Sequence, residues 1–447
     1  MSRKTFSGGV HPSEEKALTR DIPFRPCPSW PELVFPLNQH IGKPAKPVVK
    51  KGDSVLAGQV LAEADGFVSA PVISSCSGKV KAVEPRPCVG GTAMCVVVEN
   101  DMEYTLAPGV GERVEPGKLS AKEILGKIQA AGIIGMGGAG FPTHVKLAPK
   151  NPGAIEYVIA DGAECEPYLT CDDQLMRTWP DEIVGGLEIV LSLFPKATGV
   201  VVIEENKPEA IAAMTAACAG HEKLSVLSVP TKYPQGGERS LISVVAGRHL
   251  RLGMLPADAG CLVDNVGTLR AIYRAVCHSE PLMERGFTVS GDGVRTPCNL
   301  MVRIGTPFAA ALEAAEGYAS EQTPEKLLCG GPMMGIALTD LDVPICRNNN
   351  ALIALRTDPV AVAHAQMTEC LSCGRCNRVC PLGLTPQMMA AAARRGDYER
   401  YEKKLYGMDC ISCGSCTYTC PARRPLTQLF KQTKAEILAA RRKETTK

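Results

Sequence analysis

Eight of the chain's 20 cysteines lie between Cys370 and Cys420 and repeat one spacing twice. The first copy is Cys370, Cys373, Cys376 and Cys380, followed by Pro381; the second is Cys410, Cys413, Cys416 and Cys420, followed by Pro421. Both read C-x2-C-x2-C-x3-C-P. Thiolates are soft ligands, and three on one tight loop can each reach one iron of a cubane while a fourth arrives from another segment. Gly374 and Gly414, each after the second cysteine of its copy, let the backbone curl round an inorganic core. Structural zinc usually takes four ligands from two C-x2–4-C knuckles. Two complete sets, each ending in Pro, point instead to two 4Fe–4S clusters.

In two-cluster ferredoxins of this spacing the fourth cysteine of one copy ligates the other cluster. That interleaving assigns Cys370, Cys373, Cys376 and Cys420 to one cluster and Cys410, Cys413, Cys416 and Cys380 to the second. The stretch between the copies, TPQMMAAAARRGDYERYEKKLYGMD, is rich in helix formers, so residues 362–435 are expected to form a helical ferredoxin-type domain. The other cysteines are scattered and read as small buried hydrophobes, with Cys165 and Cys171 set apart because they border a second motif.

That motif begins with GIIGMGGAGFPTHVK at 132–146. Gly135, Gly137, Gly138, Ala139 and Gly140 match a G-x-G-x-x-G pattern, but the preceding Ser120–Ala131 segment reads as a capped amphipathic helix, not as the strand of a dinucleotide fingerprint. The glycines let backbone N–H groups approach an anion, and Lys146 could neutralise a phosphate; the same residues would suit a tight turn between packed elements. Just downstream, Tyr157–Ala160 reads as a buried strand ending in Asp161, Glu164 and Glu166. Carboxylates at a strand end beside a glycine loop make a ligand crevice of an α/β sheet, able to bond ribose hydroxyls. Two polar loops follow apolar runs, Lys232–Arg239 and Val263–Thr268; each would also serve as a plain turn or helix cap.

Taken together, GMGGAGFPTHVK, DGAECEPY, YPQGGERSLI and DNVGTL resemble the NADH-binding flavin subunit of respiratory complex I and its relatives. With KTFSGGVHP at the start and two cluster motifs at the end, nearly the whole chain resembles the family of C-type subunits of Rnf-type ion-translocating electron-transport complexes. The resemblance implies FMN and NAD(H) in the central domain. Gly135, Gly137, Gly138, Ala139, Gly140 and Lys146 would cradle FMN and the NADH phosphates, and Phe141 would stack on the nicotinamide nucleotide. Glu164 and Glu166 would bind the dinucleotide, Glu238 would stand near it, and Asn265 and Thr268 would form the FMN-phosphate loop. Asp161 stands where the family carries an Asn beside the flavin, and Ala163 where complex I relatives carry an Asp. The implied function is electron input: NAD(H), FMN, two clusters and then partner subunits of a membrane complex, with ferredoxin reached through a partner. A free-standing flavin–iron–sulfur reductase, such as one acting on cobalamin, and a relay with an inactive nucleotide pocket are the alternatives; the N-terminal position of the barrel domain favours the Rnf-type reading.

The elements that must position these groups make a multidomain α/β chain. Residues 1–28 are expected as an extended arm and 29–105 as a lipoyl-like barrel-sandwich domain, with no Lys at its hairpin tip to carry a prosthetic arm. A Rossmann-like nucleotide domain is expected over 112–280, a soluble-ligand-binding β-grasp domain over 284–355, and a basic, helical tail over 436–447. Charge is balanced, with 49 Lys plus Arg against 47 Asp plus Glu, which gives no electrostatic footprint for nucleic acid. No apolar run reaches the roughly 18 residues of a spanning helix, and the longest candidate, Ile183–Phe194, is broken by Gly185, Gly186 and Glu188. The expected location is the cytoplasmic face of a cell membrane, held there by partners.

Overall fold

The computed structural model describes residues 4–250 and 253–445. The expected arm is extended but not free: residues 4–28 are woven through the molecule, and 1–3 lie outside the described residues. Phe6 is buried against the nucleotide domain. Lys16 is buried in a short 3-10 turn, Lys16–Leu18, where its ammonium donates to the carbonyls of Glu164 (2.8 Å), Glu166 (3.0 Å) and Leu169. All three of its protons are thereby used, which is what makes a buried ammonium tolerable. Phe24–Pro26 (β1) then joins a sheet of the third domain.

The barrel sandwich follows as β2 (Glu32–Pro36), β3 (Lys46–Pro47), β4 (Ser54–Val55), β5 (Val60–Glu63), β6 (Val72–Ile73), β7 (Gly78–Cys88) and β8 (Gly91–Asn100). Its sheets, ordered β2-β8-β7-β4 and β3-β5-β6, close over Leu33, Phe35, Leu61, Val80, Val96 and Val98.

The nucleotide domain opens with α1 (Ala121–Ala130), whose Ser120 and Glu123 form the reciprocal cap expected of the sequence, then the glycine loop, then α2 (Thr143–Lys146). It continues through β9 (Tyr157–Gly162), α3 (Cys171–Thr178), α4 (Pro180–Ser192), β10 (Thr198–Glu204), α5 (Pro208–Ala217), β11 (Leu224–Val229), α6 (Glu238–Ala246), β12 (Cys261–Asn265) and α7 (Val266–Cys277). The four strands run parallel in the order β11-β10-β9-β12. Buried side chains occupy both faces, which is why β10 and β12 read as nearly continuous apolar runs. Gly186 of α4 explains the broken apolar run: a Cβ there would stand 1.9 Å from Leu269 O, so α4 and α7 approach backbone to backbone. No helix among the described residues is long and apolar enough to cross a membrane.

The third domain holds β13 (Glu284–Ser290), β14 (Cys298–Arg303), α8 (Phe308–Ala314), β15 (Lys326–Cys329), β16 (Ile336–Ala337) and β17 (Ala351–Leu355) in a sheet ordered β1-β14-β13-β17-β15-β16. The last domain is helical: α9 (Pro359–Ala365), α10 (Arg375–Val379), α11 (Pro386–Arg394), α12 (Ser415–Tyr418) and α13 (Leu426–Thr445). The basic tail is a continuation of the last helix. α13 runs straight through 435/436, because Phe430 and Ile437 on one face of it bury against Met389 and Tyr401.

Candidate functional site

Parallel strands bind ligands at their carboxyl ends, where the strand order reverses. Here that point is between β9 and β12, since β10 and β11 lie on one side of β9 and β12 on the other. Asp161 pairs in register with Asn265 across this gap. Asn265 caps α7 by accepting from Gly267 N–H (2.9 Å), and its amide donates to Asp172 (2.8 Å). Thr268 Oγ1, fully buried, accepts from Met136 N–H (3.0 Å), so the first turn of α7 pins the glycine loop. Gly137 rests on Asn265, where a Cβ would come within 3.2 Å of the Asn265 Cβ. Gly137, Gly138 and Ala139 are exposed, and Gly138 (φ 141°) faces open space. Gly135 N–H donates to Phe141 O (2.8 Å), which closes the loop, and Gly140 is buried at its end.

The acids divide by role. Glu164, in a left-handed conformation (φ 46°), accepts from Asp172 N–H (2.7 Å) and Asp173 N–H (3.3 Å) and so caps α3. Glu166 accepts from Met333 N–H (3.1 Å) and lies 3.4 Å from the Tyr233 hydroxyl; burial pushes its carboxyl up to about 7. Asp161 accepts from Ala163 N–H (3.1 Å), and burial pushes it too up to about 7. A carboxyl poised there carries its proton part of the time at neutral pH, so it can donate where an Asn amide would. The Lys146 ammonium donates to Val263 O (2.6 Å) and Asp264 (3.0 Å). Burial opposes its charge, and the Asp264 and Glu238 carboxylates favour it. Glu238 begins α6 behind Gly236, and Gly236 lies against the Asp161 carboxyl.

Several contributors carried no sequence signal of their own. Lys16 is some 150 positions upstream of the loop it holds. Asp172, pushed up to about 7 by burial, looks in sequence like an ordinary first-turn helix acid. Lys207 donates to Ala163 O (2.7 Å) from beyond β10. The Gln235 amide, wholly buried, has no protein partner at either end, and neither has Asp264 Oδ2. The open glycine face fits the phosphate of a cofactor, and Asp161 offers a polar group beside it.

The cysteines form two separate pockets. Cys380, Cys410, Cys413 and Cys416 line one, walled by Leu384, Met389 and Phe430. Cys370, Cys373, Cys376 and Cys420 line the other. Cys413 and Cys416 are buried, whereas Cys370 and Cys373 are exposed. Gly374 (φ 70°) and Gly414 (φ 86°) turn the two loops. Four thiols around one space suit an iron–sulfur cubane.

Residues 128–274 match the Nuo51 FMN-binding domain, 4–103 the RnfC barrel sandwich hybrid domain, 287–337 the SLBB domain and 369–424 a 4Fe-4S dicluster domain. Over 445 residues the chain is 43% identical to the C-type subunit of the proton-translocating ferredoxin:NAD(+) oxidoreductase complex of Clostridium ljungdahlii, covering 99% of this chain and 96% of that protein. The chain belongs to the RnfC family. It is 41% identical over 440 residues to the Na(+)-translocating counterpart of Acetobacterium woodii, covering 98% of each chain. A further relative, the C-type subunit of the ion-translocating oxidoreductase complex of Rhodobacter capsulatus, is 41% identical over 439 residues, with 97% of this chain and 83% of the relative covered. As a member of the RnfC family, the chain is an electron-transfer subunit that carries an FMN-binding type of domain and a dicluster domain side by side. The barrel match takes in the woven arm, in keeping with the way that segment ties three domains together.

Proposed function

We propose that this chain is the peripheral electron-input subunit of a membrane-bound ferredoxin:NAD oxidoreductase, held at the cytoplasmic face by partner subunits. Cys370, Cys373, Cys376 and Cys420 hold one 4Fe–4S cluster, and Cys380, Cys410, Cys413 and Cys416 the other. FMN belongs in the crevice between β9 and β12: the Gly135–Gly140 loop meets its phosphate side, Asn265 and Thr268 fix that loop, and Asp161 faces the polar edge of the ring. Phe141, Glu164, Glu166 and Glu238 rim the path for NAD(H), with Glu164 acting through the cap it makes on α3. Lys146 contributes by holding Asp264 and the end of β12. FMN, when bound, exchanges two electrons with a nicotinamide as a hydride and single electrons with iron–sulfur centres. The chain's own residues place and insulate these groups; no side chain need act as a general acid or base. Ferredoxin is reached through a partner subunit. In finer fold terms the parallel sheet is Rossmann-like and the 284–355 unit a β-grasp domain.

The observation that carries this reading is the junction. One thiolate pocket abuts the loop that bears Glu166, and the other opens to the surface. Protein purified without oxygen and loaded with FMN, iron and sulfide should lose its broad visible cluster absorbance on addition of NADH. Zinc in place of iron, or clusters bleached by dithionite and left untouched by NADH, would overturn it.

A further inference from the structure

The loop Lys232–Arg239 holds a buried phenol with no part in the FMN crevice. Tyr233 is 2% exposed, and its hydroxyl lies 2.7 Å from the backbone carbonyl of Cys413 and 3.4 Å from Glu166 Oε1. A phenol has one hydrogen to give. Cys413 O and Glu166 therefore compete for it, one belonging to a thiolate loop and the other to the nucleotide crevice. The backbone of Tyr233 is fixed by paired bonds to Val10 (2.8 and 2.9 Å), and the neighbouring Gly9 N–H donates to Val379 O (2.8 Å), one residue before Cys380. A second bridge runs through Met333: its N–H meets Glu166, and its carbonyl would lie 2.8 Å from a Cβ at Gly414.

The Cys413 loop is built to feel such a contact. Ser412 (φ 55°) and Gly414 (φ 86°) both sit in the left-handed region, so the peptides on either side of Cys413 are held in place by their surroundings. The bonds around the sulfurs come from the same turn: Ser412 N–H donates to Cys410 Sγ (3.4 Å), and Cys413 Sγ lies 3.4 Å from Ser415 Oγ. Hydrogen bonds to ligand sulfur set the potential of an iron–sulfur centre. Rotation of the Cys413–Gly414 peptide would move Ser415 relative to Cys413 Sγ and so alter the second of them.

We propose that Tyr233 is a positioning residue that couples the nucleotide crevice to the Cys380, Cys410, Cys413 and Cys416 set, so that a ligand engaging Glu166 is felt by that set and not by the Cys370, Cys373, Cys376 and Cys420 set. When a ligand occupies Glu166, the phenolic hydrogen is left to Cys413 O. When it departs, the hydrogen is shared. The inference rests on the proposed function only for the identity of the groups the thiolates hold.

The test uses full-length, anaerobically loaded protein, with each cluster followed by electron paramagnetic resonance in a dithionite-poised titration. The probe is ADP-ribose, which has the dinucleotide's shape without the nicotinamide and cannot take a hydride. A Cys373→Ser variant identifies the signal of the exposed set. In the wild type, ADP-ribose should shift only the other signal. Tyr233→Phe should keep iron content and both signals, move the potential of that same signal by three- to tenfold in its one-electron equilibrium (tenfold being about 59 mV), and abolish its response to ADP-ribose. The proposal is overturned by no ADP-ribose response in the wild type, by shifts in both signals or in the exposed set alone, or by loss of iron from Tyr233→Phe, which would make the phenol a structural prop. Failure of NADH to reduce the wild type would sink the proposed function instead, and the dithionite titration would still decide the part played by Tyr233.

Discussion

Asp161→Asn is expected to stabilise the protein, and to do so only as the pH rises. The wild-type carboxyl titrates at its ordinary 3.8 when unfolded and at about 7 when folded, chiefly because it is buried and in part because Asp172 is nearby. The folded state thus holds its proton more tightly, and stability falls as pH climbs from the unfolded value through the folded one. At about 1.4 kcal/mol per pKa unit, the loss is about 2 kcal/mol near pH 5 and about 4 kcal/mol near pH 8, as upper bounds. Asn keeps an oxygen for Ala163 N–H and has no charge to bury. Differential scanning calorimetry of the metal-free protein should therefore show a gain from Asp161→Asn that is larger near pH 8 than near pH 5 by about 3 kcal/mol, or several degrees for a domain of this size. An equal gain at both pH values, or a loss that grows with pH, would refute the reasoning. The substitution also supplies a permanent hydrogen-bond donor at this position, so FMN affinity should rise most at alkaline pH, measured by quenching of flavin fluorescence.

Three further outcomes are expected. Lys16→Met removes an ammonium bonded to three carbonyls and should cost about 3 kcal/mol or more in urea unfolding; an unchanged midpoint would show that the arm merely lies on the surface. Cys373→Ser with Cys420→Ser should leave about half the iron, because both serve one pocket, whereas Cys413→Ser with Cys420→Ser should remove nearly all of it; anaerobic iron analysis giving the reverse pattern would mean that the sets are not interleaved. Gly414→Ala, with φ 86° and a Cβ driven to 2.8 Å from Met333 O, should lower iron in the buried pocket alone, seen as the loss of one of two resonance signals.

Local rules are strongly marked in this chain. The repeated cysteine spacing, the Ser120–Glu123 cap, the β-branched run of β10 and the glycine-rich loop each follow from interactions among residues within a few positions of one another, so they are legible without a fold. What anchors the helix across 435/436 was not legible, because its apolar face buries against Tyr401 and Met389 from another segment.

What sequence by itself determined was the ligand chemistry: eight thiolates in two sets, a loop able to receive a phosphate, acids at a strand end. Tertiary structure gave those groups their protein partners. β12 brings Asp264 to Lys146, and α3 presents two N–H groups to Glu164, partners that the motifs themselves do not name. The physical reason is that burial and charge pairing are long-range properties. Lys16, Glu166, Tyr233 and Cys413 are spread over some 400 positions, and only the folded chain places them in one continuous set of hydrogen bonds.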